Sequence, residues 1–118
     1  MADAALFVGW GPPVRGREAK GLEVFNEALA FQGKQQEDGA IESFEVVLLG
    51  PHGGDLYGFF LVRGSEDQIA ALRASEEFQR LNIRAGLVVE RFGVVDATIG
   101  DGISQTMPVY QEAVSELA

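Results

Sequence analysis

The sequence predicts an α+β fold in which helices cover one face of an antiparallel four-stranded sheet. Three observations predict it. The stretch from Ile41 to Arg63 reads as two strands joined by a turn-rich loop. Apolar residues alternate or run continuously over four short segments, Ala5–Trp10, Ile41–Leu49, Leu56–Arg63 and Arg91–Ile99. Between them and after them, apolar residues recur at helical three- and four-residue steps.

Strand one, Ala5–Trp10, is short and apolar on both faces and ends at Gly11-Pro12-Pro13. A helix follows from about Arg17 to Asp38, with Leu22, Phe25, Ala28, Leu29 and Gln32 on one mainly apolar stripe. Gly39 stops it, because glycine accepts the left-handed conformation at a helix end. Strands two and three, Ile41–Leu49 and Leu56–Arg63, form a hairpin around Gly50-Pro51-His52-Gly53-Gly54-Asp55. That hairpin is expected to form the middle of the sheet. Both of its faces are apolar: Phe44, Val46, Leu48, Phe60 and Val62 on one side, Val47, Leu49, Phe59 and Leu61 on the other.

Ser65-Glu66-Asp67-Gln68 opens a second helical region as a capping box, and its acids favour the positive helix end. Ser75, followed by Glu76 and Glu77, marks a restart of that helix, and Phe78, Leu81, Ala85 and Val88 continue it. Strand four, Arg91–Ile99, places Gly93, Val95, Ala97 and Ile99 on one face and Phe92, Val94, Asp96 and Thr98 on the other. After Gly100-Asp101-Gly102 comes a last helix whose stripe, Ile103, Met107, Tyr110, Val114 and Leu117, reads as core, with Pro108 near its first turn.

The 118 residues, 47% apolar and 23% charged, fit one domain spanning 1–118. There is no cysteine, which excludes disulfides, thiolate nucleophiles and cysteine-ligated metal centres. The net charge of −9 disfavours nucleic acid and anionic membranes as partners. No apolar run reaches the roughly 20 residues of a membrane span, and the acidic start lacks the features of a secretory signal, so a cytoplasmic location is expected.

The order β-α-β-β-α-β-α is that of the ferredoxin-like arrangement. Its helix-free sheet face would be bare in a monomer, yet strands two and three are apolar there, so a homodimer with two sheets face to face is expected. Leu72-Arg73-Ala74-Ser75-Glu76-Glu77-Phe78-Gln79 and Gly93-Val94-Val95-Asp96-Ala97 resemble the split helix and final strand of the dimeric α+β barrel superfamily. The resemblance implies two sheets enclosing a cavity. It spans small monooxygenases, isomerases, cyclases, haem-dependent enzymes and ligand sensors, and fold alone does not choose among them.

Candidate site residues follow from polar interruptions of apolar strands. Glu45, Tyr57, Arg63 and Asp96 would line a barrel interior if alternation turns them away from the helices. Glu45 or Asp96 would then serve as a base, Tyr57 as a hydrogen-bond donor, and Arg63 as a carboxylate clamp. As strand residues they equally read as cross-strand pairs and turn caps. His52, the sole histidine, would shuttle protons or ligate haem iron with Asp55 to orient it; it also reads as an exposed turn residue. Beyond that haem option no cofactor is expected, and no metal. Trp10, flanked by glycines, is a ligand-stacking wall or a core anchor. Gly9–Arg17 has the position of a phosphate loop but not its glycine spacing or its lysine, and two prolines remove donors such a loop needs. These features point to a dimeric barrel that binds a small apolar or aromatic molecule. Two readings follow: cofactor-free monooxygenase- or isomerase-like chemistry, or a non-catalytic sensing or dimerisation module.

Overall fold

A computed structural model describes residues 3–118. The elements follow the order β1 (Ala4–Trp10), α1 (Glu18–Glu37), β2 (Ser43–Leu48), β3 (Gly58–Gly64), α2 (Glu66–Ala74), α3 (Glu76–Val88), β4 (Gly93–Thr98) and α4 (Asp101–Leu117). The four strands form one sheet in the order β2-β3-β1-β4, every pair antiparallel. This is the ferredoxin-like fold. It corrects the expectation that the β2–β3 hairpin occupies the middle: β3 inserts beside β1, so β1 and β3 are central and β2 is an edge.

Register assigns the two sheet faces. Leu6 stands opposite Val62 and Asp96, Val8 opposite Phe60 and Val94, and Trp10 opposite Gly58. These residues, with Phe44 and Val46 of β2, face the helices. Leu6 and Val62 are fully buried at the centre, and α1, α2 and α3 close over them with Phe31, Ile69, Leu72 and Phe78. On α1 the inward stripe is Val24, Phe25, Ala28, Phe31 and Gln32, whereas Leu22 is exposed. Ile41, expected in β2, precedes it as a buried core residue.

Local chemistry fixes the helix ends. The Ser65 hydroxyl accepts from Gln68 N–H at 3.1 Å and the Gln68 side chain accepts from Ser65 N–H at 2.8 Å, completing the capping box. Ser75, extended at φ −65 and ψ 127, ends α2 and caps α3 through Phe78 N–H at 3.2 Å. Gly39 terminates α1 in the left-handed region at φ 77, where a side chain would be strained.

The last helix departs from its expected place in the core. None of its residues is buried, and Ile103, Met107, Tyr110, Val114 and Leu117 all remain exposed. Pro108 lies in the helix interior because α4 starts at Asp101, before the expected boundary. The carbonyl of Ser104, an exposed residue, therefore has no amide donor at i+4. The radius of gyration, 16.1 Å, exceeds the roughly 13.5 Å of a compact chain of this length. Among the described residues, no helix is long and apolar enough to cross a membrane.

Burial makes two stability outcomes specific. Leu6→Ala should cost about 2–5 kcal/mol, as expected for a fully packed leucine, and Ser65→Ala about 1 kcal/mol through the lost cap. Chemical denaturation of both variants measures this; equal, small losses would mean the core is not centred on β1.

Candidate functional site

The helix–sheet layer beside β1 is rich in aromatic side chains packed edge to face or tilted. Trp10 meets Phe25 at 5.7 Å between ring centroids and Phe60 at 5.7 Å, with Phe25 and Phe60 themselves 5.9 Å apart. The Trp10 ring fits because Gly58 lies across from it: a Cβ there would come within 2.7 Å of Trp10 Cζ2. Beside these rings, between the sheet and the α1–α3 pair, lies a cavity of about 340 Å³. Its walls include Val8, Trp10, Phe25, Phe60, Phe78 and Phe92.

One end of the cavity is closed by backbone. Gly11 N–H donates to Glu90 O, Glu90 N–H to Pro12 O and Val14 N–H to Val88 O, each at 2.8 Å. Pro13 and Val89 thus form an isolated bridge, and both line the cavity. The Gly9–Arg17 segment is therefore a clasp on strand-like neighbours: Gly11, Val14 and Arg17 spend their N–H groups on carbonyls, and Gly16 N–H donates to Glu18 Oε1 at 2.9 Å. Arg17 Nη1 donates to Leu87 O at 2.6 Å, which fastens the start of α1 to the end of α3. An Arg84–Glu27 ion pair ties the same two helices farther along.

The lining holds few polar groups. Glu18 and Tyr57 are its titratable residues, both exposed, and Asn82 is half-buried. No lysine, arginine or histidine lines it. Gln32 is 3% exposed, and its Oε1 has no hydrogen-bond partner among the described residues. A buried amide oxygen in that state carries an uncompensated desolvation cost.

The structure distributes the sequence candidates over three places. Trp10 and Tyr57 come together at the cavity, Trp10 in the wall and Tyr57 at the exposed rim. Tyr57 is held there by its backbone, whose N–H donates to Trp10 O at 2.8 Å and whose carbonyl accepts from Leu49 N–H at 2.9 Å. Glu45 and Arg63 lie on the helix-free sheet face and pair with each other at 2.6 Å. Arg63 thus spends its guanidinium on a strand neighbour, a pair of this exposure being worth roughly 0–1 kcal/mol. Asp96 does not join them. It falls on the opposite face, in register with Leu6, and pairs with Arg73 of α2 at 3.3 Å.

His52 stays within its own loop. Its Nε2 donates to Leu56 O at 2.7 Å, and its Nδ1 accepts from Gly54 N–H at 3.1 Å. The carbonyl fixes the proton on Nε2, and both ring nitrogens are engaged. His52 therefore does not fit as a haem ligand in this arrangement. Asp55, its expected partner, instead faces Arg91 at 3.3 Å. Among the described residues, no group of three or more potential ligands is placed to hold a metal ion.

The residue that sequence reasoning passed over is Gln32. Its signal was visible: it is the polar member of an otherwise apolar helical stripe.

No protein-family profile matches the chain, and no curated protein matches it. Solved structures do. A dimeric protein of unknown function with a ferredoxin-like fold from Bacteroides fragilis is 13% identical, with a TM-score of 0.59 over 81% of this chain and 96% of that one. A protein of unknown function from Nitrosomonas europaea is 18% identical, with a TM-score of 0.61 over 84% and 90%. SnoaB, a cofactor-independent oxygenase from Streptomyces nogalater, is 17% identical, with a TM-score of 0.54 over 83% and 94%. At these identities the likeness is one of fold, and the fold shared is the ferredoxin-like one.

Proposed function

We propose that the protein is a homodimer in which each protomer binds a small, mostly apolar or aromatic organic molecule between its sheet and its helices. The observation that carries this reading is the aromatic-walled cavity of about 340 Å³, whose size is typical of small-molecule pockets. The site so placed differs from the one expected from sequence, which lay between two sheets. Trp10 and Tyr57 carry over to it; Glu45, Arg63, Asp96 and His52 do not line it.

The dimer is supported by surface that the protomer leaves uncovered. Phe7, Val47, Phe59, Leu61 and Val95 share the helix-free face, with the Phe7 and Phe59 rings 5.0 Å apart and tilted by 30°. Val95 is 55% exposed there, and the apolar stripe of α4 is exposed as well. Contiguous apolar surface of this kind marks an interface. The Bacteroides fragilis neighbour, itself dimeric, gives the same fold a precedent for association.

Two chemical outcomes remain within this reading. The likeness to SnoaB motivates cofactor-free oxygenase- or isomerase-like chemistry, for which Tyr57 and Glu18 are the cavity's proton-transfer groups. The sparse polar lining favours binding without turnover, as in a ligand sensor. Recovery of the bound molecule unchanged marks a binder, and an oxidised or rearranged product marks an enzyme.

Equilibrium dialysis with 2-methoxynaphthalene tests the cavity. The wild-type protein should retain the probe, and Ala28→Phe, which fills the space from α1, should reduce retention at least about tenfold while the protein stays folded. Equal retention by both would remove the cavity as the site. Sedimentation tests the interface: the wild type should run as a dimer and Leu61→Glu as a monomer, because a carboxylate buried without a partner opposes association.

A further inference from the structure

The helix that packs along the sheet carries a broad apolar stripe, and α4 carries a narrow one. The α1 stripe contains chain neighbours, Val24-Phe25 and Phe31-Gln32, as a face lying on a sheet requires. On α4, Ile103, Met107, Tyr110, Val114 and Leu117 follow steps of four, three, four and three. That spacing is the seam of a coiled coil, which fits one other helix. All five residues are exposed, and α4 packs closely on no other element among the described residues. Gly102 and Gln105 border a hollow shared with α2, and they lie roughly 100° or more around the helix from the middle of the seam. The seam is therefore turned away from its own protomer.

Charge identifies the partner. A chain of net charge −9 repels its own copy unless acids are kept out of the contact. The positions flanking the seam are Ser104, Thr106, Gln111 and Ala113, all uncharged. The acids of the helix, Asp101, Glu112 and Glu116, fall on the side opposite the seam. Flanking charges are the device by which such seams select a different partner, and without them an identical seam meets no repulsion. Area argues the same way. Four strands about 4.8 Å apart and about six residues long give the open sheet face on the order of 400 Å² in projection. A stable interface takes roughly 800 Å² from each partner, so the sheet face alone falls short. The seam alone is also short, at about two heptads where coiled coils sustain about three or four. We propose that α4 pairs through this seam with α4 of a second copy and so completes the dimer begun by the open sheet faces. This inference rests on the protein being a homodimer.

Because the chain has no cysteine, a single introduced one reports a single contact. Tyr110 is the middle residue of the seam, so it lies near its counterpart whether the two helices run parallel or antiparallel. Under mild oxidation Tyr110→Cys should form a covalent dimer, and Glu112→Cys, on the outer side, should not. Sedimentation equilibrium supplies the energetic counterpart. Val114→Glu should raise the dimer Kd at least about tenfold, and Glu112→Gln should leave it unchanged. None of these residues is buried in the protomer, so each variant should fold, which circular dichroism checks. If the wild type sediments as a monomer, the homodimer reading fails and takes this inference with it. If the wild type is dimeric but Tyr110→Cys cross-links no better than Glu112→Cys, the two α4 helices do not pair although the dimer stands. A weaker Val114→Glu dimer in that case would place α4 on the partner's sheet instead. An unchanged Kd for Val114→Glu would likewise remove α4 from the interface.

Discussion

A sheet with two apolar faces needs cover on both, and this chain supplies helices for one. That mismatch governs the rest of the structure. The α1, α2 and α3 helices seal Leu6, Val8, Phe60 and Val62 on one side. On the other, Phe7, Phe59 and Leu61 can shelter only against each other and whatever meets them from outside. The exposed stripe of α4 extends the same requirement beyond the sheet. An uncovered apolar face and an unpartnered amphipathic helix on one small protomer are the features on which the proposed association rests.

The covered side has its own tension. Aromatic rings there bury much area, and Trp10, Phe25 and Phe60 form a mutually contacting cluster that walls one side of the cavity. Gly58 admits the indole, and the Pro13–Val89 bridge seals one end of the remaining space with backbone. The remaining space opens to solvent at the Tyr57 rim, so its apolar walls stay in contact with water until a molecule displaces it. Gln32 adds a second unfavourable feature, a buried amide oxygen without a partner among the described residues.

Much of the fold was legible in the sequence because its signals are local. The capping box at Ser65-Gln68, the restart at Ser75 and the stop at Gly39 each depend on a few adjacent residues, and each holds. Alternation also grouped Asp96 with Val94 and Thr98, as observed, but the one interior face expected for Glu45, Tyr57, Arg63 and Asp96 does not form: Asp96 lies on the helix side and Tyr57 at the cavity rim. What was not legible depends on contacts distant in the chain. The insertion of β3 between β1 and β2 moved the hairpin off centre, and no local pattern encodes that order. The stripe of α4 looks the same whether it meets its own core or another surface. Candidate site residues were sought as charges interrupting strands, and strand neighbours or helix residues absorb those charges: Glu45 by Arg63, Asp96 by Arg73. His52 is absorbed by its own loop. The informative interruption was an uncharged one on a helix, Gln32, whose isolation appears only once its neighbours are placed.

The central claim is that ligand occupies the helix side of the sheet, inside each protomer. The most direct measurement is a two-dimensional amide NMR titration of the folded protein with 2-naphthol. The account predicts that the Trp10 indole and the Gln32 side-chain amide shift together and saturate, with Phe78 and Ala85 following. Shifts confined to Phe59, Leu61 and Val95 on the open face, or to α4, would contradict it and return the site to the space between sheets.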